Sequence, residues 1–291
     1  MLIILLKLLS YLPLSFLYRV SDILAPVAFH FYRRKIVYRN LSLAFPDASK
    51  KSKDTIARSF YRNLLDMGFE LIKLFRISPQ SIKERVTFEE NEAIFAIRSS
   101  TKPILFYTTH LFNWEWMCAA TQLSLFPSYP VYKKLQNSAF DRYVYAIRSR
   151  FGAVPLEMKS SLRRALSLDG LAGIGLLADQ SPFKKNPGKI WSIFMGEETP
   201  FYKGTMVLPY LTQYDCFFAE LTRKGRGKYH VIFHKMSSPP YQKGHNTIFS
   251  EYIALSERAI QNNPDNWLWT HNRWKFSRKE SEELIIFRTE K

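Results

Sequence analysis

The stretch Pro103-Ile-Leu-Phe-Tyr-Thr-Thr-His110-Leu-Phe-Asn113-Trp114-Glu115-Trp116 constrains the fold most. Ile104 to Thr108 is a short β-branched and aromatic run, the pattern of a buried strand. A polar switch and His110 follow, and a helical segment takes over from Asn113 to Leu125. A second apolar run, Gly173 to Ala178, delivers Asp179-Gln180 to a strand end just as the first delivers His110. Buried strands feeding helices predict an α/β fold, in which sites collect at the C-terminal ends of strands.

His110 and Glu115 are five residues apart. On one continuous helix that offset turns them about 140° away from each other. They meet only if His110 lies in the turn before the helix and Glu115 in its first turn. A carboxylate there would fix the imidazole tautomer and stabilise the imidazolium, which makes a general base. The same spacing also suits a core histidine beside a solvated glutamate.

Other elements follow from period and caps. Residues 52–75 repeat apolar side chains at three- and four-residue steps (Ile56, Phe60, Leu64, Met67, Leu71, Phe75), with Ser52 as the cap. Tyr129 to Tyr132 reads as a strand. Asn137 caps a helix whose Phe140, Val144, Ile147 and Phe151 face inward, and Gly152 ends it. A short helix runs from Ser160 to Ser167, a loop from Ser181 to Gly188, and a helix interrupted by Pro209 from Thr205 to Tyr214. A hairpin joins Cys216–Thr222 to Tyr229–Lys235, and a last amphipathic helix spans Thr247 to Asn262. His230 and His234 share a strand face but lack further ligands at metal-binding spacing.

Residues 1 to about 31 are the most apolar part. Lys7 and Arg19 leave a run too short for a clean span of about 20 residues. The segment spans under strain with Lys7 snorkelling, lies in the interface plane, or packs as a buried N-terminal helix pair. No small-x-small cleavage site marks a signal peptide. Arg33-Arg34-Lys35 just beyond would hold the rest of the chain on the cytoplasmic side.

Lys and Arg number 42 against 25 Asp and Glu, a formal net charge of +17, so an anionic partner is expected. Two cysteines, Cys118 and Cys216, exclude a disulfide framework. Nucleic-acid binding would want basic side chains interleaved with exposed aromatics. Here the densest basic clusters sit beside apolar sequence, which favours lipid over nucleic acid. A non-catalytic basic protein that binds membranes or nucleic acid is the rival reading.

His110-Leu-Phe-Asn-Trp-Glu115 resembles the H-x4-D/E box of the lysophospholipid and lipid A acyltransferases, in particular the late lipid A branch. Arg39-Asn40-Leu41 with Phe45-Pro46, Arg148-Ser-Arg150-Phe-Gly152, Ala178-Asp179-Gln180 and Trp267-Leu-Trp269-Thr-His271-Asn-Arg273-Trp-Lys275 are similar to further family motifs, in the family's order. The resemblance implies a single-domain mixed-sheet α/β sandwich of the glycerolipid acyltransferase type. Residues 1–32 would be a membrane anchor and 33–291 the catalytic domain, at the cytoplasmic face of the inner membrane. It implies acyl-carrier protein or acyl-CoA as donor and a lipid A precursor as acceptor, a lysophospholipid being the same chemistry with a different pocket. His110 would be the base and Glu115 its holder, with no cofactor or metal. Asn113, Arg148, Arg150, Asp179, Gln180, Lys203, Gly204 and Arg273 would bind substrate, and Arg273 and Lys275 are placed for phosphate or lipid head groups.

Overall fold

Continuous apolar runs become the central strands, and three-to-four periodicities become the helices around them. The computed structural model describes residues 2–183 and 188–286. Helices α1 (Leu2–Leu9), α2 (Leu14–Phe31), α3 (Arg34–Ala44) and α4 (Lys50–Leu74) come first, then α5 (Pro79–Arg85), β1 (Val86–Phe88) and α6 (Glu92–Arg98). Next are β2 (Ile104–Thr108), α7 (Trp114–Ser124), β3 (Ser128–Tyr132), α8 (Ser138–Ser149), β4 (Leu156–Glu157), α9 (Ser161–Ala165) and β5 (Gly173–Leu177). They are followed by β6 (Lys189–Phe194), β7 (Glu197–Tyr202), α10 (Gly204–Thr212), β8 (Cys216–Gly225), β9 (Lys228–Lys235), α11 (Thr247–Asn262) and β10 (Leu284–Ile285).

Seven strands form one sheet in the order β1-β9-β8-β2-β5-β3-β4. Every neighbouring pair is parallel except the β8–β9 hairpin. The expected mixed α/β sheet is therefore present. β2 is buried from end to end, as a central strand covered on both faces must be. Gly173 and Gly175 of β5 are dictated by packing: a Cβ would come within 2.1 Å of the Phe126 ring at one and 2.6 Å of the Phe106 ring at the other. A smaller sheet, β10-β6-β7, stands apart from the first. It was not expected from the sequence.

Pro209 sits inside α10 and removes the N–H that would bond to the Thr205 carbonyl. The Tyr107 hydroxyl of β2 donates to that carbonyl instead, at 2.8 Å. The break in helix chemistry thus becomes a tie between helix and sheet. Two local expectations change. Ser49, not Ser52, caps α4, its side chain accepting from the Ser52 N–H. Phe140 is exposed, and α8 buries Asp141, Tyr143, Val144 and Ile147. The expected Ser181–Gly188 loop lies partly outside the described residues.

No described helix is long and apolar enough to cross a membrane. α2 instead has two faces. Leu14, Leu17 and Phe29 join the core, Ala25 is buried, and Ser21 donates to Asp66 of α4 at 2.7 Å. The other side exposes Phe16, Ile23, Leu24, Val27 and Phe31, and α1 exposes Ile4, Leu5 and Leu8.

Candidate active site

The register of the two central strands builds the site. Thr108 pairs with Leu177, so the second residue past each strand end, His110 and Asp179, emerges at the same edge. His110 Nδ1 lies 2.6 Å from Asp179 Oδ1, and the His110 backbone N–H donates to Asp179 Oδ2 at 3.0 Å. The Trp267 indole N–H also donates to Oδ2, at 2.7 Å. The carboxylate that holds the imidazole is therefore Asp179, where Glu115 was expected. A Nδ1–H bonded to a carboxylate leaves the Nε2 lone pair open for a proton.

Burial alone would push the Asp179 carboxyl up. The His110 charge and these three hydrogen bonds outweigh it and bring Asp179 down to about 2.

The turn after His110 is held from the far end of the chain. Phe112 adopts φ of 50°, a left-handed conformation costly for a bulky residue. Leu111 bridges to Trp267, the Phe112 N–H donates to the Asn266 carbonyl, and the Leu268 N–H donates to the His110 carbonyl. Asn113 then caps α7 by accepting from the Trp116 N–H, while its amide donates to the buried Glu70 at 2.7 Å. Expected at the substrate, Asn113 is instead buried as a positioning residue.

Glu115 faces Arg148 of α8. The guanidinium donates from Nε to both carboxylate oxygens, at 2.8 and 3.1 Å, and from Nη2 to Oε1. The Trp114 indole lies between the two carboxylate systems: its ring packs edge-on against His110 at 4.8 Å and its N–H donates to Glu115 at 3.1 Å.

His110, Trp114, Glu115, Arg148 and Gln180 line one cavity of about 610 Å³, together with Lys133, Lys134, His271 and Lys275. Beside it runs an apolar slot of about 240 Å³, walled by Leu162, Leu176, Leu208 and Leu211 with Gly204 at the start of α10. Val131, Met158, Leu177 and Tyr202 belong to both.

Besides Asn113, three expected site residues stand elsewhere. Arg150 donates to the carbonyls of Leu74 and Ile77, closing the end of α4. Arg273 is fully buried, donating to Pro200 O and Ser181 Oγ with its guanidinium 4.6 Å from the Phe201 ring centre. Lys203 is exposed at the N-cap of α10 and lines neither space. Trp267, read from the sequence as packing, also donates to the Asp179 carboxylate that holds His110; only its place in the chain-end motif hinted at that. Lys133, Lys134 and His271 were not foreseen in the cavity wall.

Arg39 and Asn40 of α3 clamp the chain-end segment. Asn40 donates to the carbonyls of Trp269 and His271, each at 2.8 Å, and Arg39 to that of Trp274 at 2.9 Å. Two motifs read separately are thus one structural unit. Among the described residues no cluster of metal-ligating side chains forms.

No curated protein matches the chain. A strand-end imidazole–carboxylate pair, a basic cavity and an adjoining apolar slot agree with the match of residues 1–276 to the family model described as bacterial lipid A biosynthesis acyltransferase, and the chain belongs to that family.

Proposed function

We propose that the protein moves a fatty acyl chain from an acyl thioester, carried by acyl-carrier protein, to a hydroxyl of a lipid A precursor. The observation that carries this reading is His110, whose Nδ1 is engaged by Asp179 while its ring lines a cavity large enough for a substrate head. His110 Nε2 takes the proton of the acceptor hydroxyl as the oxygen attacks the thioester carbonyl. Asp179 stabilises the imidazolium so formed. The tetrahedral intermediate then collapses, the C–S bond breaks, and the leaving thiolate takes the proton from His110. The acceptor hydroxyl is itself the nucleophile, so no serine or cysteine nucleophile is needed. Cys118 and Cys216 are unsuited to that role, because burial pushes both thiols up to about 12.

Glu115 and Arg148 line the same cavity, and Glu115 holds Trp114 against the imidazole. The apolar slot takes the acyl chain: its wall is rich in leucine, and it shares Val131, Met158, Leu177 and Tyr202 with the cavity. The exposed apolar side of α1 and α2 lies in the plane of the cytoplasmic leaflet, with Arg33, Arg34 and Lys35 against anionic head groups.

The test is mass spectrometry of total lipids with and without the gene, paired with transfer by the purified protein. One lipid should lose a single acyl chain when the gene is absent, and His110→Ala should fail to restore it while still sedimenting with membranes. Normal acylation by purified His110→Ala would remove the base from the scheme.

A further inference from the structure

We propose that Lys133 and Lys275, with Lys134 beside them, form a phosphate-binding subsite at the reaction cavity, which holds a phosphate-bearing substrate with its reacting group at His110. The inference rests on the reaction proposed above, since it takes the cavity to be the place where substrate sits.

All three lysines line the cavity that His110 lines. Among the described residues Glu115 is the one carboxylate in that lining, and Arg148 already neutralises it. None of the three lysines ion-pairs with a carboxylate among the described residues, although twelve ion pairs occur elsewhere. The cavity wall therefore carries a surplus of positive charge with no internal counter-charge.

Two of these cations are also held in place. The Lys133 ammonium lies 3.6 Å from the centre of the Phe183 ring, and that of Lys275 lies 5.0 Å from the Phe276 ring. An aromatic face fixes an ammonium without cancelling its charge. Burial, then the nearby Lys133 and Arg273, push the Lys275 ammonium below its ordinary value. The charge of Lys133 thus bears on Lys275 in the same cavity wall. Two like charges held together without a carboxylate between them are destabilising until an anion arrives. A phosphate, with up to two charges and three acceptor oxygens, answers both ammonium groups at once. His271 in the same wall is kept neutral, burial and Arg273 bringing it down to about 3, so it offers a hydrogen bond and no charge.

The phosphate has two possible sources: the head group of the acceptor, or the phosphodiester of the pantetheine arm that carries the donor thioester. The chemistry of recognition is the same. The experiment separates them.

Lys133→Gln, Lys275→Gln and the double variant are compared with wild type in steady-state kinetics. One arm uses the acceptor lipid with and without its phosphate. The other uses the carrier-protein thioester against an N-acetylcysteamine thioester, which lacks the phosphodiester. A charge-assisted hydrogen bond lost at each lysine should cut the preference for the phosphate-bearing partner roughly tenfold. A fall in the acceptor arm assigns the subsite to the head group, and a fall in the donor arm assigns it to the pantetheine arm. A preference unchanged in both arms overturns the subsite.

A parallel binding measurement keeps this independent of turnover. His110→Ala, alone and with both lysine changes, is titrated with phosphorylated and dephosphorylated acceptor, and with free phosphopantetheine and pantetheine. If wild type transferred no acyl chain, the reaction scheme would fall while phosphate-dependent binding lost on changing the lysines still upheld the subsite. Binding indifferent to phosphate in both pairs would overturn it.

Discussion

His110 Nδ1 and Asp179 Oδ1 stand 2.6 Å apart although 69 residues separate them in the chain. In the proposed reaction the pairing makes the base and also sets the cost of losing its partner. Asp179→Asn replaces a charged acceptor by a neutral amide and favours the wrong imidazole tautomer. It should lower kcat by about 10²–10⁴ with little change in KM, near the floor set by His110→Ala. Steady-state kinetics on the purified variants decides this. Wild-type kcat in Asp179→Asn would mean that another group orients the imidazole.

The second buried pair predicts a different signature. Arg148 is pushed down by burial and raised more strongly by Glu115, so its net shift is upward. Glu115→Ala would strand that guanidinium beside the cavity. We expect it to lose about 3–5 kcal/mol of stability, as when one partner of a buried pair is removed. Glu115→Ala with Arg148→Ala should cost less than the two single changes summed. Urea denaturation of the four proteins gives the cycle. A large loss of activity at unchanged stability would give Glu115 a direct part in the chemistry.

Much of this site was legible residue by residue, and little of it as contacts. The runs Ile104–Thr108 and Gly173–Leu177, the Asn113 and Asn137 caps and the Thr247–Asn262 helix announced themselves by period and cap. The His110–Asp179 contact did not, because it depends on the register of β2 with β5, and local spacing displays only the nearer carboxylate, Glu115. The β6–β7 hairpin was hidden by Pro200, which counts against a central strand. It lies on the edge strand of its sheet, where a missing N–H is tolerated. The burial of Arg273 could not be foreseen either, since the sequence shows a cation but not the Phe194 and Phe201 rings that pack near it.

Acid should lower stability over two pH windows whose sign follows from the shifted groups. His271 is held at about 3, burial first and Arg273 next, against an ordinary 6.5. The unfolded chain binds that proton earlier, so stability falls as pH drops from about 6.5 towards 3. Asp179 is held at about 2 against an ordinary 3.8, so its contribution is intact above 3.8 and is lost as pH falls towards 2. His271→Asn should flatten the upper part of the acid limb and Asp179→Asn the lower part. Urea midpoints measured from pH 7 to pH 2.5 test both, and an unchanged slope in either variant would contradict its assignment.

Asn40 predicts an effect at a distance. Its amide satisfies two carbonyls, Trp269 and His271, in a fully buried position. Asn40→Ala leaves both without a donor and should cost roughly 2–4 kcal/mol. The loosened segment carries Trp267, which holds Asp179, so kcat should fall in the same variant. Thermal unfolding and kinetics on one preparation test the linkage. A destabilised protein with normal kcat would confine Asn40 to stability.

Leu177 gives the sharpest test of the acyl slot. It ends β5 and belongs to the walls of both the cavity and the slot. Leu177→Trp adds a ring at that junction and should shorten the chain the slot accepts. Each two-carbon unit that no longer fits forfeits about 1.6 kcal/mol of burial, roughly fifteenfold in kcat/KM. The product lipids, analysed by mass spectrometry from a mixture of thioester chain lengths, should therefore shift to shorter acyl groups. A uniform loss of rate with the same chain-length profile would mean that the hydrocarbon lies elsewhere. The slot would then be packing space between α10 and the sheet.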